Sequence, residues 1–589
     1  MREPSGHAAG LDRPERRLVK VRIWLSERIR FSEFHVTLLW AVVIGLAGAL
    51  TSAAFKEATE WLHGIFTGHH GGYIETFRAM PQWRRVLVPV VGGLLAGASL
   101  LLHRRLKSAK CSSDYMEAVV VGEGNLSARA SFVKSLSAWF SSSSGASIGR
   151  EGPLVQLSSV VSSLIGRLFR FPLARKRLLV ASGAAAGVAS AYNAPVAGAF
   201  FVAEIVLGSM AVESLAPLVV SSIIATLATR EIYGGEAIYS APFFVLRSNA
   251  EVIPYVVLGI VSGLLAPVYI RLLKGGESLF AFLKLPLPLR LALGGLVVGL
   301  LAMVHPEVTG NGRALVFAVL HDPGPWQAVA VVLVFKLLAT SATFGSGAVG
   351  GVFTPTLFTG AATGYLFGAA LAALWPGAGF QPASFGLVGM GAFLAAATGA
   401  PVMAIIMLFE LTLSDQVILP AMATSVVAYL VTRAMGGRLL YSDALERKGA
   451  AAVSQHLAAL KIDDLMTADA AVLDPGASFG EVGRTFIQNR HGSLYVVDED
   501  RYRGVIALRD IKPYLGHPDL EQLMIAGDVM HEDRPRLVAG QGMNEALDLF
   551  SLAEAERLPV VDAMGRYLGS VTRADVLMFL AGKPRPGEA

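Results

Sequence analysis

The chain has 589 residues, of which 53% are hydrophobic and only 16% are charged, against about 25% charged residues in an average soluble domain. Together with a mean hydropathy of +0.54, this composition excludes an ordinary soluble protein and indicates a polytopic membrane protein. The net charge of +5 is modest. The single cysteine, Cys111, excludes an intramolecular disulfide framework and a cysteine-based metal site.

The first 33 residues are polar and basic, and they precede the first apolar run. Seven basic side chains lie between residues 13 and 30: Arg13, Arg16, Arg17, Lys20, Arg22, Arg28 and Arg30. By the positive-inside rule we expect this end to be cytoplasmic. No folded basic domain accompanies the run, so nucleic acid is not an expected partner. A short apolar core with a small-residue cleavage site is lacking, and we therefore expect no cleavable signal peptide.

Long apolar runs follow, and a membrane-spanning helix needs about 20 such residues. Five runs predict spans: Val36–Ala54, Val86–Leu102, Val252–Leu272, Leu291–Val304 and Ala328–Leu338. Five others are short or broken by Gly, Pro and Ser: Leu154–Ile165, Ala194–Leu207, Phe353–Leu374, Leu387–Ala397 and Val402–Leu411. Interrupted segments in matching positions of two halves are typical of a transporter site.

The segment Gly149-Arg150-Glu151-Gly152-Pro153 places an ionisable pair where the sequence otherwise indicates membrane. Such a pair is costly there and suggests a functional site. The surrounding glycines and proline predict the start of a helix, whose free N–H groups and partial positive charge favour an anion. A glutamate at that position competes with the anion. The alternative is that Glu151 pairs with Arg150 and holds a loop.

The two halves of the apolar region match each other. Ala194–Glu204 and Ala400–Glu410 both begin Ala-Pro-Val, and both place a glutamate nine residues after the proline. Upstream, Gly149–Pro153 corresponds to Gly350–Pro355. The shared order and spacing predict an all-α membrane domain with an inverted-topology repeat and half-helices.

The last part of the chain is ordinary soluble sequence with a repeat of its own. Leu494–Asp498 is echoed by Leu558–Asp562, and Asp464–Met466 by Asp528–Met530. Strand-like and helical runs alternate, which predicts a soluble α/β pair. The organisation we predict is a basic segment at 1–33, a membrane domain at 34–445 with halves at about 34–235 and 250–445, a linker at 446–460, and α/β units at 461–520 and 525–585.

Four motifs in this order resemble the CLC family of chloride channels and chloride/proton antiporters. They are Gly149–Pro153, Gly183–Gly187 with Tyr192–Pro195, Gly345–Pro355, and Tyr441 within Gly437–Ser442. The tail resembles a tandem CBS-domain pair. The resemblance implies a homodimer in a lipid membrane with one anion pathway per subunit. It also implies a bacterial inner-membrane location with both termini in the cytoplasm.

The resemblance implies roles for individual residues. Glu151 would be the gate, which blocks when ionised and lets chloride pass when protonated. The N–H groups of Val352 and Phe353 and the Tyr441 hydroxyl would line a central chloride site. The N–H groups around Arg150–Gly152 would line an outer site, although pairing is the expected role of the Arg150 side chain. For Tyr441 the alternative is an interfacial aromatic anchor.

Four polar residues near these motifs are expected to be structural. Ser346 and Thr354 are expected to cap helices. Glu204 and Glu410 are expected to accept hydrogen bonds near helix ends, and Glu204 is also a candidate for the proton pathway.

The chain departs from the CLC pattern at two places. Where the family carries Gly-Ser-Gly-Ile-Pro, this sequence has Lys110–Asp114, so Cys111, Ser112 or Ser113 would donate to chloride, and a preference for fluoride stays open. Coupled antiporters carry a glutamate after the position of Glu204, where this chain has Ile205. Isoleucine cannot ionise, which favours a passive channel; the alternative is an antiporter with a proton route through water or another carboxylate.

CBS pairs often bind adenine nucleotides, and a Ser/Thr-x-x-Asp motif contacts the ribose. Thr572 and Asp575 fit this motif, whereas Ala507 replaces the hydroxyl residue before Asp510. The alternatives are a nucleotide-free regulatory or dimerisation module, and helix capping by the two aspartates. No other cofactor is expected. A membrane sensor with a vestigial pore is a further alternative. An enzyme is disfavoured because no His/Glu metal pair or Ser/Lys dyad stands out in the spans.

Overall fold

The computed structural model of the chain describes residues 33–106, 111–112, 114–120, 122–239, 251–437, 439–441, 462–467, 471–488, 492–512, 514, 523–542, 545–546, 549–550 and 556–580. Two units are distinguished, one up to residue 446 and one from residue 447. Residues 1–32 of the predicted basic segment, the predicted linker at 446–460, and Lys110 and Ser113 of the altered motif lie outside the described residues.

The first unit is helical in the part of the chain that the structure describes. Among the described residues, eight helices are long and apolar enough to cross a membrane: Phe34–Thr67, Gln82–His103, Val212–Tyr233, Val252–Phe282, Leu287–Val304, Trp326–Gly345, Phe353–Leu374 and Asp415–Ala434. All five predicted spans lie within these helices. The sequence analysis missed Val212–Tyr233 and Asp415–Ala434.

The prediction that Phe353–Leu374 is broken was wrong, because it forms one continuous helix. Its glycines are packing positions rather than breaks. A Cβ added at Gly360 would lie 2.5 Å from the Gly389 carbonyl oxygen, and one added at Gly364 would lie 2.1 Å from that of Phe385. Small residues of this kind let two helix backbones approach closely.

The other helices of the described part of this unit are mostly shorter, as expected for half-helices. They are Tyr73–Ala79, Tyr115–Val120, Ala128–Ser143, Glu151–Leu168, Leu173–Tyr192, Pro195–Phe201 with a π-helical continuation Val202–Leu207, Arg313–His321, Pro382–Thr398 and Pro401–Thr412. Short 3₁₀ turns lie at Pro306–Val308, Pro376–Ala378 and Asp415–Val417.

The predicted repeat is visible in how corresponding helices pack. Helices Gln82–Leu106 and Leu287–Val304 contact each other through equivalent glycines. A Cβ added at Gly93 would lie 2.4 Å from the Leu291 carbonyl oxygen, and one added at Gly295 would lie 2.2 Å from that of Pro89. Gly93 of the first half therefore contacts the second half in the same way as Gly295 of the second half contacts the first, as a pseudo-two-fold axis requires.

The second unit contains two small sheets of the same topology, which confirms the predicted α/β pair. Strands β1 (Val472–Leu473), β2 (Ser493–Asp498) and β3 (Arg501–Ala507) form one sheet, and β4 (Leu537–Val538), β5 (Arg557–Val561) and β6 (Tyr567–Thr572) form the other. In each sheet the first pair is parallel and the second is antiparallel. The helices are Phe479–Gln488, Leu508–Ile511, Ala526–Val529 and Arg573–Leu580.

Candidate functional site

A helix begins at Glu151, as the glycines and proline of this segment predicted. It runs from Glu151 to Leu168, with Arg150 before its first turn and Pro153 inside that turn. Proline suits the first turn because the missing N–H would have no partner within the helix. The Glu151 side chain is buried, with 9% of its surface exposed. The start of this helix is therefore the place where a carboxylate enters the protein interior.

The matching segment of the second half meets this helix start directly. Gly149 N donates to Gly351 O at 2.6 Å, and Gly351 N donates to Gly149 O at 2.9 Å. Gly351 precedes the helix that begins at Phe353. The paired glycines bring two helix N-termini together, and such termini attract anions through their free N–H groups and their dipoles.

The Glu151 carboxylate lies between these two helix starts. Its Oε1 accepts a hydrogen bond from the Thr354 hydroxyl, and Thr354 Oγ1 lies 3.1 Å from the Tyr192 hydroxyl. Its Oε2 is buried and has no hydrogen-bond partner among the described residues. A Cβ added at Gly149 would lie 1.7 Å from this oxygen, and one added at Gly351 would lie 2.7 Å from it. Glycine at both positions leaves room for the carboxylate.

Thr354 is a correction to the sequence analysis, which expected it to cap a helix. The helix at Phe353 has no side-chain cap, and the Thr354 hydroxyl contacts Glu151 instead. Ser346 follows the last residue of the helix Trp326–Gly345 and donates to Thr343 O at 2.8 Å, a bond within its own helix end. Sequence reasoning missed Thr354 and Tyr192 as functional residues. The signal that could have identified them is that each belongs to a motif already singled out: Thr354 to Gly345–Pro355 and Tyr192 to Tyr192–Pro195.

A cavity of about 280 Å³ leads to this carboxylate. Its lining includes Lys56, Arg150, Glu151, Tyr192, Arg313 and Thr354. The Lys56 ammonium lies 3.4 Å from the centre of the Tyr233 ring. The lining holds three cationic side chains and two carboxylates, Glu151 and Glu236, and this excess of positive charge favours anions.

Arg150 does not pair with Glu151, which excludes the loop-holding pair considered above. Its Nη1 lies 4.0 Å from Glu60 Oε1 and has no hydrogen-bond partner among the described residues, so the pairing role of Arg150 stays a prediction. A Cβ added at Gly152 would lie 3.4 Å from the Gly350 carbonyl carbon, which is an ordinary van der Waals contact, so space alone does not require glycine there.

Aromatic rings connect the second helix start to Tyr441. The Phe353 ring centre lies 4.9 Å from that of Tyr192 and 6.3 Å from that of Phe201, which in turn lies 5.7 Å from that of Tyr441. Val352 precedes the helix, and Phe353 is its first residue. The first N–H groups of a helix have no partner within it. Phe353 and Tyr441, two of the residues predicted for the central chloride site, therefore belong to one cluster of aromatic rings at the start of this helix.

Hydrogen bonds within the protein occupy backbone N–H groups of the altered motif and of the helix that follows it. Ser112 N donates to Asn125 O at 2.9 Å, so this N–H is not available to chloride. Tyr115 N donates to Gln156 Oε1 at 3.1 Å, and Met116 N donates to Asp114 Oδ1 at 3.0 Å. The Cys111 side chain is half-buried. Side chains thus occupy the first two N–H groups of the short helix Tyr115–Val120.

Glu204 accepts hydrogen bonds at the start of the helix that contains Glu410, and Glu410 accepts hydrogen bonds at the start of the helix that leads to Glu204. These bonds confirm the predicted structural role of the two glutamates. The four bonds are Val196 N to Glu410 Oε1 at 2.9 Å, Ala197 N to Glu410 Oε2 at 2.8 Å, Val402 N to Glu204 Oε1 at 3.4 Å and Met403 N to Glu204 Oε2 at 2.8 Å. Each glutamate therefore caps the helix start of the opposite half. Ile205, next to Glu204, is buried with 8% of its surface exposed.

In the second unit, the two predicted ribose contacts differ. Asp510 Oδ2 accepts a hydrogen bond from Arg534 at 2.9 Å and lies 3.2 Å from His531 Nε2. Thr572 precedes the helix Arg573–Leu580 and accepts a hydrogen bond from Asp575 N at 2.9 Å, so it caps that helix. The Thr572 hydroxyl itself donates to the Asp575 carboxylate. No group of three or more potential metal ligands occurs in the part of the chain that the structure describes.

Comparison with known proteins gives consistent matches over both units. The family described as voltage gated chloride channel matches residues 98–433, and the CBS domain matches residues 462–517 and 526–582. A protein of Ralstonia nicotianae whose name likens it to the chloride channel ClcB is 50% identical over 411 residues, which are 69% of this chain and 96% of that protein.

Two further comparisons concern a channel and an antiporter. The voltage-gated ClC-type chloride channel ClcB of Salmonella typhimurium is 38% identical over 408 residues, or 69% of this chain and 97% of that protein. The crystal structure of a slow cyanobacterial Cl⁻/H⁺ antiporter aligns with a TM-score of 0.63 and 27% identity, over 70% of this chain and 98% of that one.

Proposed function

Because this chain belongs to the family of voltage-gated chloride channels and carries two CBS domains, we propose that it conducts chloride through a pathway gated by Glu151. The observation that carries this proposal is the position of the carboxylate between two paired helix starts. An ionised carboxylate there takes the place of an anion. Protonation removes its charge, so the side chain leaves and chloride enters.

The chloride sites follow from the N–H groups at the two helix starts beside this carboxylate, since the first N–H groups of a helix have no partner within it. We place the central site at Val352, Phe353 and Tyr441, and the outer site at the N–H groups of Arg150–Gly152. The first half offers chloride fewer backbone N–H groups than the family pattern implies, because Gln156 and Asp114 accept hydrogen bonds from the first two N–H groups of the helix Tyr115–Val120. Ser112 and Cys111 then reach chloride only through their side chains.

Passive conduction is the mechanism that the proton-pathway residues favour. Both Glu204 oxygens accept backbone hydrogen bonds, and the neighbouring Ile205 cannot carry a proton. The buried gate is reached from the cavity of about 280 Å³, which offers protons a direct route from solvent. A chloride/proton antiporter is the second candidate, because of the similarity to the cyanobacterial antiporter.

A liposome experiment separates these mechanisms. The purified full chain is reconstituted, a chloride gradient is imposed, and chloride efflux and internal pH are recorded together. We expect chloride efflux without uphill proton movement. Absence of halide flux would contradict the transport proposal. Uphill proton movement driven by the chloride gradient would replace the channel by the antiporter, and fluoride in place of chloride tests the selectivity of the altered first motif.

The remaining proposals concern assembly and regulation. We place the protein in a bacterial inner membrane as a homodimer with cytoplasmic termini, and crosslinking in native membranes tests the dimer. We propose the CBS pair as a regulatory module whose candidate adenine-nucleotide contact is Thr572 with Asp575, since Arg534 and His531 already occupy Asp510. Loss of ATP or AMP binding to the full chain in Thr572→Ala tests this site.

A further inference from the structure

The Thr354 hydroxyl behaves differently from the threonine hydroxyls further along its helix. Thr356 donates to Val352 O at 2.7 Å and Thr359 donates to Pro355 O at 2.9 Å, which is the usual bond back to the preceding turn. Thr354 is the second residue of the helix, so the residue four positions earlier lies outside the helix. Its hydroxyl is free to donate to Glu151, and it does so.

The proton on Thr354 fixes the direction of a two-step chain of hydroxyl groups. A hydroxyl has one proton to donate, and Thr354 gives it to Glu151 Oε1. Because Glu151 can only accept when it is ionised, Tyr192 is then the donor in its 3.1 Å contact with Thr354 Oγ1. Tyr192 is 6% exposed and Thr354 is 2% exposed, so both side chains are buried at the wall of the cavity. Both O–H groups point towards the carboxylate.

We propose that Thr354 and Tyr192 form a hydroxyl latch, which holds Glu151 in its ionised, closed position and sets the pH at which the pathway opens. This inference rests on the proposed gate role of Glu151. Hydrogen bonds donated to a carboxylate stabilise its charged form, and a chain of two hydroxyls strengthens the second bond. The two residues act on chloride through Glu151 and are positioning residues.

Other polar groups that face the gate do not reproduce this latch. Oε2 has no hydrogen-bond partner among the described residues, so the bonds on Oε1 anchor the carboxylate. Arg150 contributes its charge from the start of the same helix, and its own ion pair is with Glu60. The charged and titratable groups that face Glu151 or line the cavity beside it are Lys56, Glu60, Arg150, Tyr192, Tyr233, Glu236, Tyr239, Arg313 and Tyr441.

The same helix offers a matched control pair. Thr356 Oγ1 lies 3.3 Å from the Tyr269 hydroxyl, so a second threonine and tyrosine are in contact, and both are buried. This pair makes no hydrogen bond to Glu151 in the described structure. Removing its hydroxyls tests whether losing any buried hydroxyl near the pathway has the effect expected of the latch.

The experiment is chloride efflux from liposomes as a function of pH for five forms of the full chain: wild type, Thr354→Val, Thr354→Ser, Tyr192→Phe and Tyr269→Phe. We expect Thr354→Val to move the pH of half-maximal efflux upwards by about 1–2 units, the size of one hydrogen bond to a charged group. Tyr192→Phe should move it in the same direction by less. Thr354→Ser keeps the hydroxyl and should retain the wild-type midpoint.

Several results would overturn the latch, and they are distinct from failure of the proposed function. A pH-dependent wild type with an unchanged midpoint in Thr354→Val rejects the latch and leaves the Glu151 gate standing. An equal shift in Tyr269→Phe shows a general effect of hydroxyl loss and also rejects it. Absence of wild-type flux overturns both proposals. Thermal unfolding of each variant in detergent verifies that the compared proteins are folded.

Discussion

Glu204 and Glu410 offer a matched pair of substitutions, because they occupy equivalent positions and make equivalent bonds. Each carboxylate accepts two backbone N–H bonds at the start of a helix in the other half. A glutamine in either place has one carbonyl oxygen to accept with, and its NH₂ group faces the second N–H. Glu204→Gln and Glu410→Gln therefore remove the same interaction from opposite sides of the repeat.

The cost of each substitution can be worked from these bonds. Losing one hydrogen bond to a charged group costs about 1.5–3 kcal/mol, and losing a negative charge at a helix N-terminus costs about 0.3–1 kcal/mol. We expect each variant to lose about 2–4 kcal/mol of its free energy of unfolding. The bond from Val402 to Glu204 is longer than the bond from Val196 to Glu410, so Glu410→Gln should be the more damaging.

Two measurements on the same proteins complete this test. Denaturant unfolding in detergent gives the stability, and simultaneous chloride and pH recording in liposomes gives the transport. We expect both variants to be less stable than wild type and to conduct chloride with the same lack of proton coupling. A variant as stable as wild type would refute the capping role. Altered proton movement in Glu204→Gln alone would show that Glu204 carries protons.

Further predictions concern the gate, the central site and the second unit. Gly149→Ala should displace the Glu151 carboxylate and raise chloride flux several-fold at a pH that closes wild type, whereas Gly275→Ala, whose added Cβ meets nothing within 4 Å, should not. Tyr441→Phe should raise the chloride concentration for half-maximal flux by about tenfold, if one hydrogen bond to the ion is lost. A hydrogen bond from the Arg566 backbone N–H lowers the pKa of Asp562. The Asp562 carboxylate therefore contributes to the free energy of unfolding above its unfolded-state pKa, and this contribution is lost as pH falls through its folded-state pKa. Hydrogen exchange of the turn after β5 should therefore be faster in Asp562→Asn than in wild type at neutral pH and equal to it in acid.

Much of the fold was predictable because the two halves carry the same signals in the same order. The glycines and proline around Glu151 predicted a helix start, and the paired Ala-Pro-Val segments predicted a repeat in which Glu204 and Glu410 make structural hydrogen bonds near helix ends. Continuity of the helix Phe353–Leu374 was not predictable. Glycine breaks a lone helix, but here Gly360 and Gly364 lie against the backbone of the helix Pro382–Thr398, and sequence periodicity does not show which neighbour a glycine faces.

Glu151 and Tyr441 were singled out from the sequence, whereas the contact of the Thr354 hydroxyl with Glu151 was missed. Glu151 and Tyr441 stand in recognisable motifs, whereas Thr354 in isolation is a typical helix-capping residue. Its contact with Glu151 depends on the pairing of Gly149 with Gly351, which brings together segments that lie far apart in the sequence. The hydrogen bond from Tyr115 N to Gln156, which occupies the first N–H group of the helix Tyr115–Val120, likewise joins residues far apart in the sequence.

The most direct test of the gate is the pH dependence of chloride efflux from liposomes that contain wild type or Glu151→Gln. Both proteins are compared at the same density across acid to neutral pH, with empty liposomes as the control. A carboxylate gate predicts that wild-type efflux rises as pH falls, while efflux through Glu151→Gln is the same at every pH. The same pH dependence in both proteins would contradict the role of Glu151 as the gate.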